Sequence, residues 1–526
     1  MIRLRQLKVN VGSNDLDNVI AKKLRININE INDIKIVKKS IDSRCKPNIY
    51  YVYEADVNVN NEDKLLDKIK SNDIFKTPIE EYKFNITGTL KLNNRPIIVG
   101  SGPAGLFCAY MLSMYGYKPL IIERGSDVDT RIRKVNKFWK DNILDPECNV
   151  QFGEGGAGTF SDGKLNTLIK DKDFRMKKVF EIFVENGAPK DIMYENKPHI
   201  GTDILVDVVK NIRNKIISNG GEFRFNTKLT NINYVDNKLN SIIVNDNEEI
   251  KCDSLVLAIG HSARDTFKML YDNSILMQPK PFAIGIRIQH SQELINSNQY
   301  STNYDKSLGN ASYKLTHTCK NKRGVYTFCM CPGGYVVNSS SEDNMLSING
   351  MSYHDRNSGI ANSAVIVTIS PKDFGDNPLD GITYQRNLES ITYKVGNGLI
   401  PVQTFKDFID NKETKQLGSI KPIFKGNYKL ANLNKIFPNY IIESLKEGIL
   451  EFDKKIKGFA SDEAILAAIE SRTSSPVRIV RDDNLESSIK GIYPSGEGAG
   501  YAGGITSSAM DGVKVAEAIM SKYRNQ

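Results

Sequence analysis

Ile97-Ile-Val-Gly-Ser-Gly-Pro-Ala-Gly105 runs an apolar strand straight into Gly100-x-Gly102-x-x-Gly105, and few folds accept that order. A helix is expected from Leu106 to Tyr115, then a second strand over Pro119-Leu-Ile-Ile-Glu123. Each part has a physical task. Gly100 permits a tight turn, Gly102 lets the backbone come close to a pyrophosphate, and Gly105 lets helix pack on strand. Ser101, Pro103 and Ala104 complete the turn and the helix N-terminus, where unpaired N–H groups and the helix dipole favour phosphate. Glu123 ends the second strand about 20 residues on, where a carboxylate accepts ribose hydroxyls, and Arg124 follows it. Together these features predict a Rossmann-type dinucleotide site.

The motif does not say which dinucleotide. Gly491-Ile-Tyr-Pro-Ser-Gly-Glu497-Gly-Ala-Gly-Tyr-Ala-Gly-Gly504-Ile505 leads into a closing helix expected over Val513–Ser521. This segment resembles the second FAD contact of the glutathione-reductase-type flavoproteins, in which a short strand presents an acid to the ribityl chain. Glu497 stands where that family more often has Asp. Asp253-Ser-Leu-Val-Leu-Ala-Ile-Gly260 resembles the family's strand before the glycine that passes near the cofactor, which implicates Ala258 and Gly260. Together with Phe152-Gly-Glu-Gly-Gly-Ala-Gly-Thr-Phe-Ser-Asp-Gly-Lys-Leu165 and Arg472-Thr-Ser-Ser-Pro-Val-Arg478, the chain resembles bacterial FAD-dependent dehydrogenase-like proteins with a small N-terminal domain. The resemblance spans nearly the whole chain. It implies FAD and an oxidation–reduction reaction, and names no substrate.

The implied fold class is α/β: a single discontinuous Rossmann-type FAD-binding domain (91–264 and 486–526), an inserted, largely antiparallel substrate domain (265–485), and an N-terminal ferredoxin-like α+β domain (1–90). In the last, β-α-β-β-α-β order is read from alternating runs at Ile2–Val11, Ile34–Ser40 and Ile49–Val59 with helices between, closed by Tyr82–Thr87. One cysteine there is too few for a thiolate-held iron–sulfur cluster. Docking, self-association through this domain and lid duty stay open. Thr202-Asp203 is the expected cap of a helix to Ser218, and residues 229–250, starting at cofactor-contact candidate Leu229, read as a β-meander. No second strand–glycine–helix unit follows. If NAD(P)H is the electron donor, its nicotinamide binds without a Rossmann unit of its own.

The net charge of +9 permits acidic substrates or nucleic acid, but it is spread out: residues 1–90 hold 16 Lys/Arg against 13 Asp/Glu. A solvated basic surface is expected and nucleic acid is not. Seven scattered cysteines imply no disulfide framework. No apolar run suits a signal peptide or a membrane span, so a cytoplasmic protein is expected, with a small-molecule substrate.

Flavin supplies hydride chemistry and the protein positions the substrate. Gly153–Lys164 has five glycines in twelve residues. Gly155, Gly156, Thr159 and Ser161 are expected to cradle the cofactor, with Lys164 placed near negative charge. His261 follows Gly260 where the chain crosses the cofactor. His354, among polar residues 349–356, is the preferred general acid–base, since His titrates near neutrality. Arg472 and Arg478 flank hydroxyls and are expected to clamp an anion, their alternative partners being Asp482, Asp483 or Glu470. Cys329 and Cys331 would share one strand face, as small buried residues or a reactive pair. No metal site is expected. An FAD-dependent oxidoreductase acting on a small, anionic organic molecule is the leading reading. An RNA-modifying flavoprotein and a flavin-bound docking or sensor protein are its rivals.

Overall fold

The computed structural model describes residues 1–525. The order expected around Gly100 is present: strand Ile97–Val99, helix Pro103–Met114, strand Leu120–Ile122. These strands are the centre of a five-stranded parallel sheet, flanked by Leu255–Leu257 and Ile492–Pro494 on one side and by Glu222–Arg224 on the other. The three inner strands are three residues long and wholly buried. Parallel strands covered on both faces carry continuous apolar runs rather than alternating ones, as here.

One face of the sheet takes the helices Pro103–Met114, Thr202–Ser218 and Ile505–Lys522 into a common core. The other face packs on the meander Leu229–Val235, Lys238–Val244, Glu248–Lys251. Helix Pro103–Met114 lies tight on its strand because residue 105 is glycine: a Cβ there would meet the Gly100 carbonyl at 1.9 Å. The closing helix begins at Ile505, eight residues before the expected start, since Ile505 to Asp511 are buried although several are polar.

Residues 282–470 hold a seven-stranded sheet in the order Thr316–Thr318, Gly324–Cys331, Ile360–Ile369, Phe282–Ser291, Ile465–Glu470, Ile400–Thr404, Tyr428–Leu430. All its pairings are antiparallel except the last. The chain passes between the two sheets at a ribbon of Met277–Pro279 with Val477–Ile479.

At the N-terminus, Ile2–Asn10, Ile31–Asp42, Tyr50–Val59 and Ile74–Lys76 form a four-stranded antiparallel sheet in the order second, third, first, fourth. Its core is separate, with Ile2, Leu4, Leu7, Ile20, Leu24, Val57 and Ile74. The closing strand is Ile74–Lys76, not Tyr82–Thr87. Tyr82, Phe84 and Ile86 instead pack against the helical face of the parallel sheet, so their apolar alternation is used by a different core. The cap expected at Thr202 is also displaced. Thr202 is the first helical residue, and its hydroxyl donates to the Ser161 carbonyl at 2.8 Å. Among the described residues no helix is long and apolar enough to cross a membrane.

Candidate functional site

A cavity of about 1530 Å³, counting its mouth open to solvent, lies at the carboxyl ends of the parallel strands. Val99-Gly100, Ala258–Gly260 and Ser495 bring three adjacent strand ends to it, and Gly102, Pro103 and Ala104 bring the N-terminus of helix Pro103–Met114. This is the crevice where parallel α/β sheets bind ligands.

Most of the sequence-derived cofactor positions line this cavity: Gly100, Gly102, Pro103, Ala104, Glu123, Arg124, Gly156, Ser161, Lys164, Leu229, Ala258, Gly260, Glu497, Gly504 and Ile505. Ser101, Gly105, Gly155 and Thr159 do not; they shape it from behind. The Gly155 N–H donates to the Ser101 carbonyl at 2.9 Å, tying the glycine-rich loop to the first glycine turn. Thr159 is fully buried, with its hydroxyl against Gly155.

Glu123 carries more than the sequence suggests. Its carboxylate accepts the Ser101 N–H and hydroxyl on one oxygen, at 2.9 and 2.8 Å, and the Gly125 and Gly153 N–H groups on the other, both at 3.0 Å. Any ribose hydroxyl shares an acceptor that already knits two loops together. Arg124 lies over the Phe152 ring at 4.1 Å and is held by Glu147 and Asp265.

The glycine-rich loop is shaped by a residue that its own sequence does not reveal. Arg131, on helix Val128–Asp141, is fully buried and donates to the carbonyls of Asn149, Val150, Gly153, Glu154 and Gly156. Among the described residues no carboxylate pairs with it directly, and burial lowers its guanidinium to about 10. Glu154 accepts from Val128 N–H and Arg213, both at 2.8 Å, and burial raises it to about 7.

The inner end of the cavity is walled by both sheets. Asp162 is buried and paired with Arg356 on one side and with Lys164, 3.7 Å away, on the other. Burial pushes its carboxyl up, but the two cations hold it below its ordinary value. Glu389 takes bidentate bonds from both Arg264 (2.7 and 2.8 Å) and Arg472 (2.8 and 3.0 Å). There too the cations outweigh burial, and Glu389 lies far below its ordinary value. Arg287, alone among apolar neighbours on strand Phe282–Ser291, binds Glu470, Asn349, Asn362 and the Cys329 carbonyl. Burial raises Glu470 despite Arg287.

Three chemical expectations are corrected. His354 does not line the cavity: its Nδ1 meets the Ile200 carbonyl at 2.9 Å and its ring stacks on His199 at 5.1 Å, behind the loop. Arg472 does line it, but not as half of an anion clamp. Its partner is Glu389, which none of the sequence alternatives named, and its remaining bonds go to Ser262 and Ser341. Arg478 is exposed and bonds the Gly500 carbonyl. Cys329 and Cys331 do not share a face, because the strand bulges between Phe328 and Cys331 and Cys329 sits at φ 41°. Cys329 is exposed to the cavity and Cys331 is buried. His261 is on the wall as expected, Nδ1 at 2.9 Å from the Ser262 hydroxyl. Burial, then the charges of Arg472 and Arg264, lower it to about 3, so it stays neutral near pH 7.

A Clostridium beijerinckii protein described as uncharacterized is 50% identical over 530 residues, 99% of each chain. Residues 281–473 match the model for "FAD-dependent protein, C-terminal domain-like". The chain belongs to this family of FAD-dependent proteins. It is thus a flavoprotein with FAD as cofactor. Residues 98–151 of the flavoprotein match an NAD(P)-binding Rossmann-like domain, and residues 1–58 a domain of unknown function. Solved structures give remote likenesses. Glycine oxidase from Bacillus cereus is 11% identical, over 82% of this chain and 96% of that one, at a TM-score of 0.31. L-proline dehydrogenase from P. horikoshii is 12% identical, over 83% and 96%, at 0.34.

The cavity fits FAD on two local observations. A Cβ at Gly102 would find no atom nearer than 3.7 Å, which leaves space open at the helix N-terminus. The Glu497 carboxyl lines the cavity with no hydrogen bond from another described side chain. Burial raises it to about 7 against the pull of Lys280, as suits a group that meets hydroxyls rather than water.

Proposed function

We propose that this flavoprotein passes a hydride between FAD and a small anionic organic substrate seated at the inner end of the cavity. Bound FAD supplies the two-electron chemistry. The chain supplies position and charge. In this reading Gly100, Gly102 and Ala104 take the pyrophosphate with Gly156 opposite, Glu123 and Arg124 bound the adenosine end, and Glu497 meets the ribityl hydroxyls. Gly260-His261 and Gly504-Ile505 border the ring. His261, neutral at physiological pH, offers a hydrogen bond without a charge.

One observation carries the preference for an anion. Two deeply buried carboxylates beside the inner end are each shared by two cations, Asp162 by Lys164 and Arg356 and Glu389 by Arg264 and Arg472, while Glu470 has Arg287 and Arg264 also meets Glu342. Positive charge is left in excess, and a low-dielectric wall strengthens its field. Lys164 is the least committed of these cations, since its 3.7 Å approach to Asp162 is no hydrogen bond. It therefore replaces Arg472 as the substrate-facing charge, with Asn349 and Cys329 as polar neighbours on the wall.

Anaerobic mixing of the FAD-loaded protein with 2-hydroxy and 2-amino acids tests donors, and mixing the reduced protein with unsaturated acids tests acceptors. NADH and NADPH are run alongside. The expected result is a change in flavin absorbance with one class of acid, at least about tenfold faster than with its uncharged amide, and slowed in Lys164→Met. Equal rates with acid and amide would remove the anion reading. No reaction with any acid would remove the small-substrate reading.

A further inference from the structure

Away from the flavin cavity, the turn joining Thr316–Thr318 to Gly324–Cys331 packs on helix Asn439–Asp453. His317 comes from the first of these strands, Cys319 from the turn and Glu447 from the helix. One ligand atom from each lies within 4.8 Å of the other two. His317 Nε2 stands 3.1 Å from Glu447 Oε1. Two donors bonded at about 2.0–2.1 Å to a tetrahedral ion stand roughly 3.3 Å apart, so this spacing suits a shared ion.

We propose that His317, Cys319 and Glu447 bind a zinc ion, with water or Glu451 as the fourth ligand. Thiolate, imidazole and carboxylate together suit zinc; magnesium and calcium take oxygen ligands. Binding forms Zn–S, Zn–N and Zn–O bonds and releases the Cys319 thiol proton to solvent. Thiolate and carboxylate then neutralise the ion.

The surroundings hold the donors in place. The Lys320 N–H donates to both Glu447 oxygens, at 3.0 and 3.3 Å, which fixes the carboxylate plane and leaves each oxygen a free lone-pair direction. The turn is closed by Cys319 N–H to the Arg323 carbonyl at 2.9 Å and by Lys322 N–H to the Cys319 carbonyl at 2.8 Å. Asn321 pins it to the helix through the Ser444 hydroxyl at 2.8 Å. Cys319 is 4% exposed, and its thiol has only a 3.6 Å contact to the Ser444 carbonyl. A His–Glu ion pair alone would not need a thiol beside it. Glu451 follows Glu447 by one helical turn on the same face. Because the second strand of this hairpin ends at Cys329 and Cys331, the ion would brace the strand that forms the inner cavity wall.

The test measures zinc in the full-length, FAD-loaded protein by plasma mass spectrometry after dialysis, then its reloading with zinc and with cobalt. About one zinc per chain is expected, with a thiolate-to-cobalt charge-transfer band in the cobalt form. Cys319→Ser should lose that band. Both Cys319→Ser and the half-exposed His317→Ala should weaken zinc binding by at least about tenfold while FAD content holds. FAD content reports folding for both variants. Background zinc in the unsubstituted protein after reloading, or equal zinc in Cys319→Ser, would overturn the site and leave an ordinary His–Glu pair.

Discussion

At the scale of single residues, Gly102 separates cofactor binding from folding. The nearest atom to a Cβ there is the Gly156 Cα at 3.7 Å, so the protein without FAD has room for a side chain. Valine methyls would instead occupy the space a pyrophosphate needs beside the helix N-terminus. Gly102→Val should purify with an unchanged circular dichroism spectrum and almost no flavin absorbance. A folded variant with full FAD would place the cofactor elsewhere. Glu497 allows a pH test. Its folded-state value, about 7, is raised above the ordinary carboxylate range by burial. A raised group contributes stability that is fully present below its unfolded value and is lost as pH rises through about 7. Glu497→Gln keeps the shape without the charge. In the FAD-free protein it should match the unsubstituted chain near pH 4.5 and exceed it by about 1–3 kcal/mol at pH 8, allowing for partial exposure. Melting curves across that range measure the difference, and a pH-independent gap would show that the carboxyl ionises freely.

At the scale of elements, the glycine-rich loop of residues 153–164 is held open by Arg131 from a neighbouring helix. Three carbonyls of this loop, and those of Asn149 and Val150 just before it, converge on one guanidinium. Lysine keeps the charge but has three donors and no planar fork, so at least two buried carbonyls lose their partner. Arg131→Lys should cost about 2–4 kcal/mol in denaturant titration and lower FAD content. Unchanged stability and full FAD would mean the loop holds its shape unaided. The contrast shows what the sequence could tell. Local elements were legible: strand, glycine turn, helix and acid follow one another within about 25 residues, and each has its own chemistry. Gly100, Gly102, Pro103, Ala104, Glu123 and Arg124 came from there, and the remaining cavity-lining positions from the glycine-rich segment and the family resemblance. Long-range charge pairing was not legible. Arg131 reads as one more charge on a polar helix, and Glu389 lies 83 residues from its partner Arg472. Arg287 did leave a signal, a lone charge inside Phe-Ala-Ile-Gly-Ile-Arg-Ile, where a buried strand admits Arg only with a partner. The Cys329 bulge left none, since a period of two assumes an unbroken ladder.

For the whole molecule, the question is where the N-terminal unit ends. The sheet of residues 2–76 has its own core, and it meets the rest through polar contacts and one apolar patch, where Ile49, with Val11 and Tyr51, joins the core beside the seven-stranded sheet. Lys39 exchanges backbone bonds with Tyr194 and Asn196, and its ammonium meets Glu195 at 2.9 Å. Tyr51 bonds the Ser307 carbonyl. Residues 77–92 behave differently. Tyr82, Phe84 and Ile86 enter the helical core, the Tyr82 hydroxyl donates to Glu517 at 2.8 Å, and Leu90–Lys91 pairs with Tyr523–Arg524. A burial value of roughly 1.5–3 kcal/mol for a fully buried large apolar side chain makes this strap worth several kcal/mol, even with partial burial. The functional boundary therefore lies near residue 76 rather than 90. A chain starting at residue 77 should fold and retain FAD in the same flavin-to-protein ratio as the full chain, with a melting temperature only a few degrees lower. A chain starting at residue 92 should lose several kcal/mol in denaturant titration and bind less FAD, because its closing helix loses the strap that covers it. If the two truncations behave alike, the strap belongs to neither unit. If the shorter truncation already fails to hold FAD, the N-terminal sheet is part of the flavin site's support, and the polar contacts at Lys39 and Tyr51 are where to look for it.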